Sequence, residues 1–156
     1  MKFYSDFADK YDVMITWSRR EELQAPFFRK VFDKHNVKSV LDCACGTGFH
    51  TIMLSKMGYH VEGCDITPGM IEKSRLNAAK DGLNLNFVQS DFKEMVGKFD
   101  KKFEVDSTDY NPISKDKLSD LMKRAGFGKL KFYGDFDFTE FDERKSENLI
   151  VVGIKG

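Results

Sequence analysis

Asp42 and Asp65 are the residues whose type and spacing first point to chemistry. Asp42 lies at the end of a short apolar run and opens the turn Asp42-Cys43-Ala44-Cys45-Gly46-Thr47-Gly48; Asp65 follows Gly48 by seventeen positions, at the end of a second short apolar run. An apolar strand, an acid, a glycine turn, a helix and a second strand ending in an acid is how α/β proteins hold a nucleotide-like cofactor. The glycines carry no Cβ, so the backbone can turn sharply and come close to a ligand. A carboxylate at the position of Asp65 can accept hydrogen bonds from both hydroxyls of a ribose. It could equally serve as a negative charge at the N-terminus of the following helix.

The loop discriminates between ligands. A dinucleotide loop reads G-x-G-x-x-G and lays a pyrophosphate on a helix N-terminus. Here the third glycine position is Thr51, and Asp42 precedes the turn. More negative charge beside a pyrophosphate is unfavourable, which disfavours a nicotinamide-binding oxidoreductase. A cofactor with positive charge next to its ribose fits better, and S-adenosylmethionine, with a sulfonium and an amino group, is the expected one.

These residues need elements to hold them. Phe3, Tyr4, Phe7, Ala8, Tyr11, Met14, Ile15 and Trp17 recur at three- and four-residue steps, the pattern of an amphipathic helical lead-in. A helix is expected over 25–35, a first strand over 37–41, and a helix over 49–57 stopped by Gly58. A second strand is expected over 60–64. Thr67-Pro68 reads as N-cap and first-turn proline of a helix that runs to Gly82, before a third strand over 85–89. Strand-helix-strand-helix-strand implies right-handed crossovers and a parallel sheet. Further on, a short helix over 93–96, an alternating strand from Lys102 to Tyr110, and a Ser114-capped helix with Leu118, Leu121, Met122 and Ala125 inward lead to strands over 130–133 and 148–154. The last two are expected to pair antiparallel.

Composition sets limits. With 156 residues the chain is long enough for one domain with a true core. Lys plus Arg and Asp plus Glu each number 25, so no basic excess points to nucleic acid and no charge run points to a membrane surface. No apolar run approaches the roughly 18 residues of a span and no signal core follows Met1, so a cytoplasmic location is expected. Cys43, Cys45 and Cys64 have no matching Cys or His pair and read as small buried side chains, with no metal site implied. His35, His50 and His60 lack the spacing of a triad or metal site and read as surface or turn residues. Fifteen Phe and five Tyr promise a core rich in rings.

The wording Leu41-Asp42-Cys43-Ala44-Cys45-Gly46-Thr47-Gly48 resembles class I S-adenosylmethionine-dependent methyltransferases, most of all the glycine and sarcosine N-methyltransferases. The ending, Ala125-Gly126-Phe127, Tyr133-Gly134-Asp135-Phe136-Asp137 and Ser146 to Val152, is similar to the last helix and two strands of the same enzymes. The resemblance implies an α/β, Rossmann-like three-layer sandwich with a mostly parallel sheet and a C-terminal antiparallel strand. That fold is shortened relative to the seven-stranded form, because the usual fourth and fifth strands and the acceptor-binding insertion are not found. Residues 103–108 would replace the fourth strand or be a remnant of the insertion. One domain is expected over 1–156, with a helical cover at 1–36, a cofactor-binding half at 37–100 and a shortened C-terminal half at 101–156.

The resemblance also assigns roles. Ala44 and Gly46 would contact the methionine part through backbone atoms, and Asp42 would meet its amino group, although a strand-end carboxylate can also simply cap the turn. Asp65 would take the ribose, Ile66 and Met70 the adenine faces, and Asp91 and Phe92 the adenine amino group and ring; Asp91 also reads as a helix cap. Arg20 would face the cofactor carboxylate in two-point fashion, with Arg19 an equally placed rival. Tyr4 and Tyr11 would lie near the sulfonium, where cation–π attraction contributes roughly 0.5 to 2 kcal/mol, or else pack in the core. The implied reaction is methyl transfer to a small-molecule acceptor, an amine such as glycine or a methylated glycine, with no catalytic residue assigned. The rival is a module that binds the cofactor without turnover, having lost the acceptor segment. A shortened sheet exposes strand edges, so a homodimer is expected; a monomer by light scattering at micromolar concentration would contradict it.

Overall fold

A computed structural model of the chain describes residue 12 and residues 16–90, 103–104 and 114–155. Tyr4, Tyr11, Asp91 and Phe92, most of the lead-in, and the helix expected over 93–96 lie outside the described residues. The chain divides into two compact units, Met1–Phe99 and Asp100–Gly156.

In the first unit, α1 (Trp17–Lys34) takes in Pro26 without ending there. Proline removes one i→i−4 hydrogen bond, but Phe27, Phe28, Val31 and Phe32 bury one face of this helix, with Phe27 and Phe32 fully inaccessible. Packing of that kind outweighs local propensity. The expected abundance of rings is concentrated here. Phe28 meets Phe27 at 5.9 Å and Phe32 at 5.6 Å between centroids, and Phe32 meets Tyr59 at 5.0 Å, edge to face.

Three strands, β1 (Ser39–Cys43), β2 (His60–Asp65) and β3 (Asn86–Gln89), form a parallel sheet in that order. β1 starts two residues later than expected and ends on Cys43, so Asp42 lies within the ladder opposite Gly63. Helix α2 (Phe49–Lys56) follows the glycine turn, and α3 (Pro68–Lys80) follows β2. Ile52, Ile71, Ala78, Phe87 and Cys45 make the core under the turn. Thr67 occupies the N-cap of α3, but its side chain makes no capping bond. Asp65 Oδ1 accepts from the Thr67 N–H instead, at 2.8 Å.

The second unit is an antiparallel sheet in the order β4-β6-β5, formed by β4 (Phe103–Glu104), β5 (Phe127–Tyr133) and β6 (Ile150–Lys155). Phe103–Glu104 therefore does not make the parallel pairing of a fourth strand: Phe103 pairs with Ile154 and Glu104 with Gly153. Helix α4 (Lys115–Arg124) is capped as expected, the Lys117 N–H donating to Ser114 Oγ at 3.3 Å. Of its expected inward residues, Leu118 and Met122 are half-buried, whereas Leu121 (47 %) and Ala125 are exposed. A ten-residue helix on a narrow sheet buries only a thin stripe. Between Gly128 and Lys131 the β5–β6 register shifts, with Lys129 at φ 50°. At the other end of β5, the chain folds back so that Tyr133 bridges Glu140 and the Phe141 N–H donates to Phe132 O.

Candidate cofactor site

The ends of β1 and β2 converge on Asp65. Its carboxylate is nearly buried, at 9 % exposure, and Oδ2 accepts from the Gly46 N–H at 3.0 Å while Oδ1 accepts from Thr67 N. One side chain thus ties the glycine turn to the start of α3. A carboxylate has about four lone-pair sites, so two hydrogen bonds leave capacity for a diol. The turn itself needs unusual backbone: Ala44, Gly46 and Gly48 have φ of 59°, 54° and 90°. The ladder continues into it, with the Cys45 N–H donating to Cys64 O at 2.9 Å and Gly48 N–H closing back on Cys45 O.

Asp42, half-buried at the end of β1, accepts a 2.6 Å hydrogen bond at Oδ2 from the hydroxyl of Thr51, the residue standing at the third glycine position. The local field is negative. Burial first, then Asp42 and Asp65, push the Cys45 thiol well above its ordinary range. This thiol is therefore held protonated; Cys45 and Cys64 are buried, Cys43 is half-buried, and none of the three forms a disulfide.

The two rival arginines differ in their surroundings. Arg19 is exposed, while the guanidinium of Arg20 lies 5.1 Å from the centroid of the Phe49 ring, against the first residue of α2. Ile66 is 51 % exposed beside Asp65, an apolar surface at the strand ends, whereas Met70 is buried at 6 % in the first turn of α3 and offers no comparable face.

Two features escaped the sequence reading. His50 is half-buried: its ring packs edge-on against Phe28 and Phe49 and its Nε2 lies 2.7 Å from Oε1 of buried Gln24. Burial, helped by the Arg20 charge, lowers its pKa from 6.5 to about 4. The second is Asp12. It accepts from the Thr47 hydroxyl at 2.6 Å and from Asn77 Nδ2 at 2.7 Å, while Asn77 also donates to Thr47 O at 3.1 Å. Nothing in a single sequence signals a pairing across 65 positions, and only the buried polar residues, Thr47 in the glycine turn and Asn77 on α3, call for partners.

The residues present therefore fit a ligand with a ribose and a cationic head: two carboxylates flank the turn, one arginine stands against the adjacent helix, and an apolar side chain, Ile66, is exposed next to Asp65. Fold and site together define an α/β cofactor-binding unit with its ligand face at the carboxyl ends of parallel strands. The chain belongs to the methyltransferase domain family, whose model matches residues 40–126, and it has the Rossmann-like fold of the class I S-adenosylmethionine-dependent methyltransferases. It is 35 % identical over 103 residues to the glycine/sarcosine N-methyltransferase of Parasynechococcus marenigrum, covering 64 % of this chain and 36 % of that one. Against the glycine/sarcosine N-methyltransferase of Aphanothece halophytica it is 33 % identical, covering 66 % and 39 %. The chain thus spans little more than a third of the length of these two relatives. A solved S-adenosylmethionine-dependent methyltransferase of Aquifex aeolicus superimposes with a TM-score of 0.63 at 18 % identity, covering 94 % of this chain and 97 % of that one, which shows the shared fold. Among the described residues no helix is long and apolar enough to cross a membrane.

Proposed function

We propose that the chain binds S-adenosylmethionine across the carboxyl ends of β1 and β2 and transfers its methyl group to a small amine such as glycine or a methylated glycine. The observation that carries this reading is Asp65, whose carboxylate ends β2 and at the same time holds the Gly46 N–H, making ribose acceptor and glycine turn one unit. The amine half rests on the names of the two relatives, glycine/sarcosine N-methyltransferases.

When bound, the cofactor supplies a methyl group made electrophilic by the neighbouring sulfonium. Asp65 accepts from the ribose hydroxyls with the lone pairs its backbone bonds leave. Asp42 answers the ammonium group, and Arg20 takes the carboxylate in two-point geometry. Ile66 gives the adenine an apolar surface. Transfer from sulfur to nitrogen needs alignment and exclusion of water more than an acid or base, and no described residue is assigned as catalytic.

Calorimetric titration with S-adenosylmethionine and with its demethylated product, on wild type and Asp65→Ala, tests the cofactor reading. Saturable binding is expected, weakened about a hundredfold in the variant because hydrogen bonds to a charged acceptor are lost. A folded wild-type chain that binds neither compound overturns it. Labelled-methyl transfer to glycine and sarcosine tests the second half. Binding without transfer to any amine favours a cofactor-binding module, the reading supported by the chain's covering so little of its relatives' length.

A further inference from the structure

We infer that Thr51 is a positioning residue that fixes the carboxylate of Asp42 for recognition of a primary ammonium group on the ligand; the inference rests on the cofactor reading above. In a dinucleotide loop the position of Thr51 is a glycine, needed so that helix and strand can pack closely. This protein moves the small residue across the interface. Gly63 on β2 is the register partner of Asp42, and a Cβ there would come within 2.9 Å of Thr51 Oγ1 and 2.8 Å of the Phe87 ring. The space left by Gly63 accommodates the Thr51 side chain, which is wholly buried.

The hydroxyl placed in that space donates to Asp42 Oδ2 at 2.6 Å, a short distance typical of a bond to a charged acceptor. A carboxylate is planar, so anchoring Oδ2 on α2 fixes the plane of the group and the direction of Oδ1. Threonine is itself restricted at χ1, which adds to the definition. The pair Thr51–Gly63 thus converts a phosphate-type loop into one that presents an oriented acid. Such an acid is repulsive toward a pyrophosphate and attractive toward an amino acid ammonium, so the pair acts on ligand class and not on the adenosine portion.

The experiment compares two probes on wild type, Thr51→Val, Thr51→Ala and Thr51→Ser. S-adenosylmethionine carries the ammonium group; 5′-methylthioadenosine shares the adenosine portion and its 5′ sulfur, as a neutral thioether, and lacks the whole amino acid part. Affinities are read by calorimetry, with displacement of bound S-adenosylmethionine where methylthioadenosine is weak, and thermal melts establish which variants fold. Thr51→Val is expected to weaken S-adenosylmethionine about tenfold or more, the lower end for a hydrogen bond to a charged group, and to leave methylthioadenosine within about twofold. Thr51→Ser should recover most of the loss, and Thr51→Ala should behave as Thr51→Val does. Equal weakening of both probes, or of neither, overturns the inference and leaves the cofactor reading standing. A folded wild type that binds neither probe removes the cofactor reading itself.

Discussion

Gly48→Ala is expected to destabilise the cofactor-binding unit by roughly 2 to 5 kcal/mol and to lower its melting midpoint by about 10 °C or more. Two independent costs meet at this position. The backbone sits at φ 90°, where an L side chain is strained. A Cβ would also lie 2.9 Å from Ser74 Cβ and 3.2 Å from the Phe87 ring. Neither neighbour can yield easily: Ser74 is fully buried with its Oγ donating to Ile71 O at 2.8 Å, and Phe87 is 3 % exposed. Gly82→Ala separates the two costs, since Gly82 has φ 69° and nothing within 4 Å of a Cβ. It should lose only about 1 kcal/mol. Comparable melting midpoints for the two variants would show that the contact with Ser74 and Phe87 contributes nothing.

Acidification is expected to remove up to about 3 kcal/mol of stability through His50 alone. Its pKa in the folded protein is about 4, against 6.5 for the free side chain. Between those values the unfolded chain binds more protons than the folded one, so stability rises with pH across this window and is complete above about 6.5. On lowering the pH the loss begins near 6.5 and is full below about 4. The cause is chiefly burial of the ring between Phe28 and Phe49, with the Arg20 charge adding to it. Urea midpoints at several pH values from 7.5 to 4.5, on wild type and His50→Phe, isolate this contribution from that of carboxylates common to both. His50→Phe should be less stable at pH 7.5, because Gln24 loses its partner, and should show a shallower decline. Parallel pH curves would refute the assignment.

The sequence made legible what depends on local signals. Gly46, Gly48, Asp42 and Asp65 stand out because close approach and strand-end acids leave a residue-level mark, and the parallel pairing of β1, β2 and β3 follows from the alternation of strands and helices, although their order does not. Most helix and strand limits were within a few residues, but the helix expected from Ala25 begins eight residues earlier at Trp17, and of the strand expected from Lys102 to Tyr110 the described residues show only Phe103–Glu104. What stayed hidden depends on partners distant in the chain. His50 looks like a polar turn residue until Gln24 and Phe28 enclose it, and the pairing of Phe103–Glu104 with β6 is decided by a strand about fifty positions away. Leu121 fits the helical spacing as well as Leu118 does, and only the narrowness of the sheet beneath leaves it outside.

The outer side of β5 has a consequence for how this protein behaves in a crowded solution. An open strand edge is a template for another chain, and natural sheets protect such edges with lysines and bulges or cover them with their own backbone. β5 uses both at opposite ends: Lys129 and Lys131 frame the register shift, and the return of the chain at Glu140 and Phe141 occupies the far end. A second copy finds no uninterrupted run of donors and acceptors along it. The β5 edge is thereby a poor template for strand addition by a second copy, and any pairing of subunits through exchanged strands has to use a different seam.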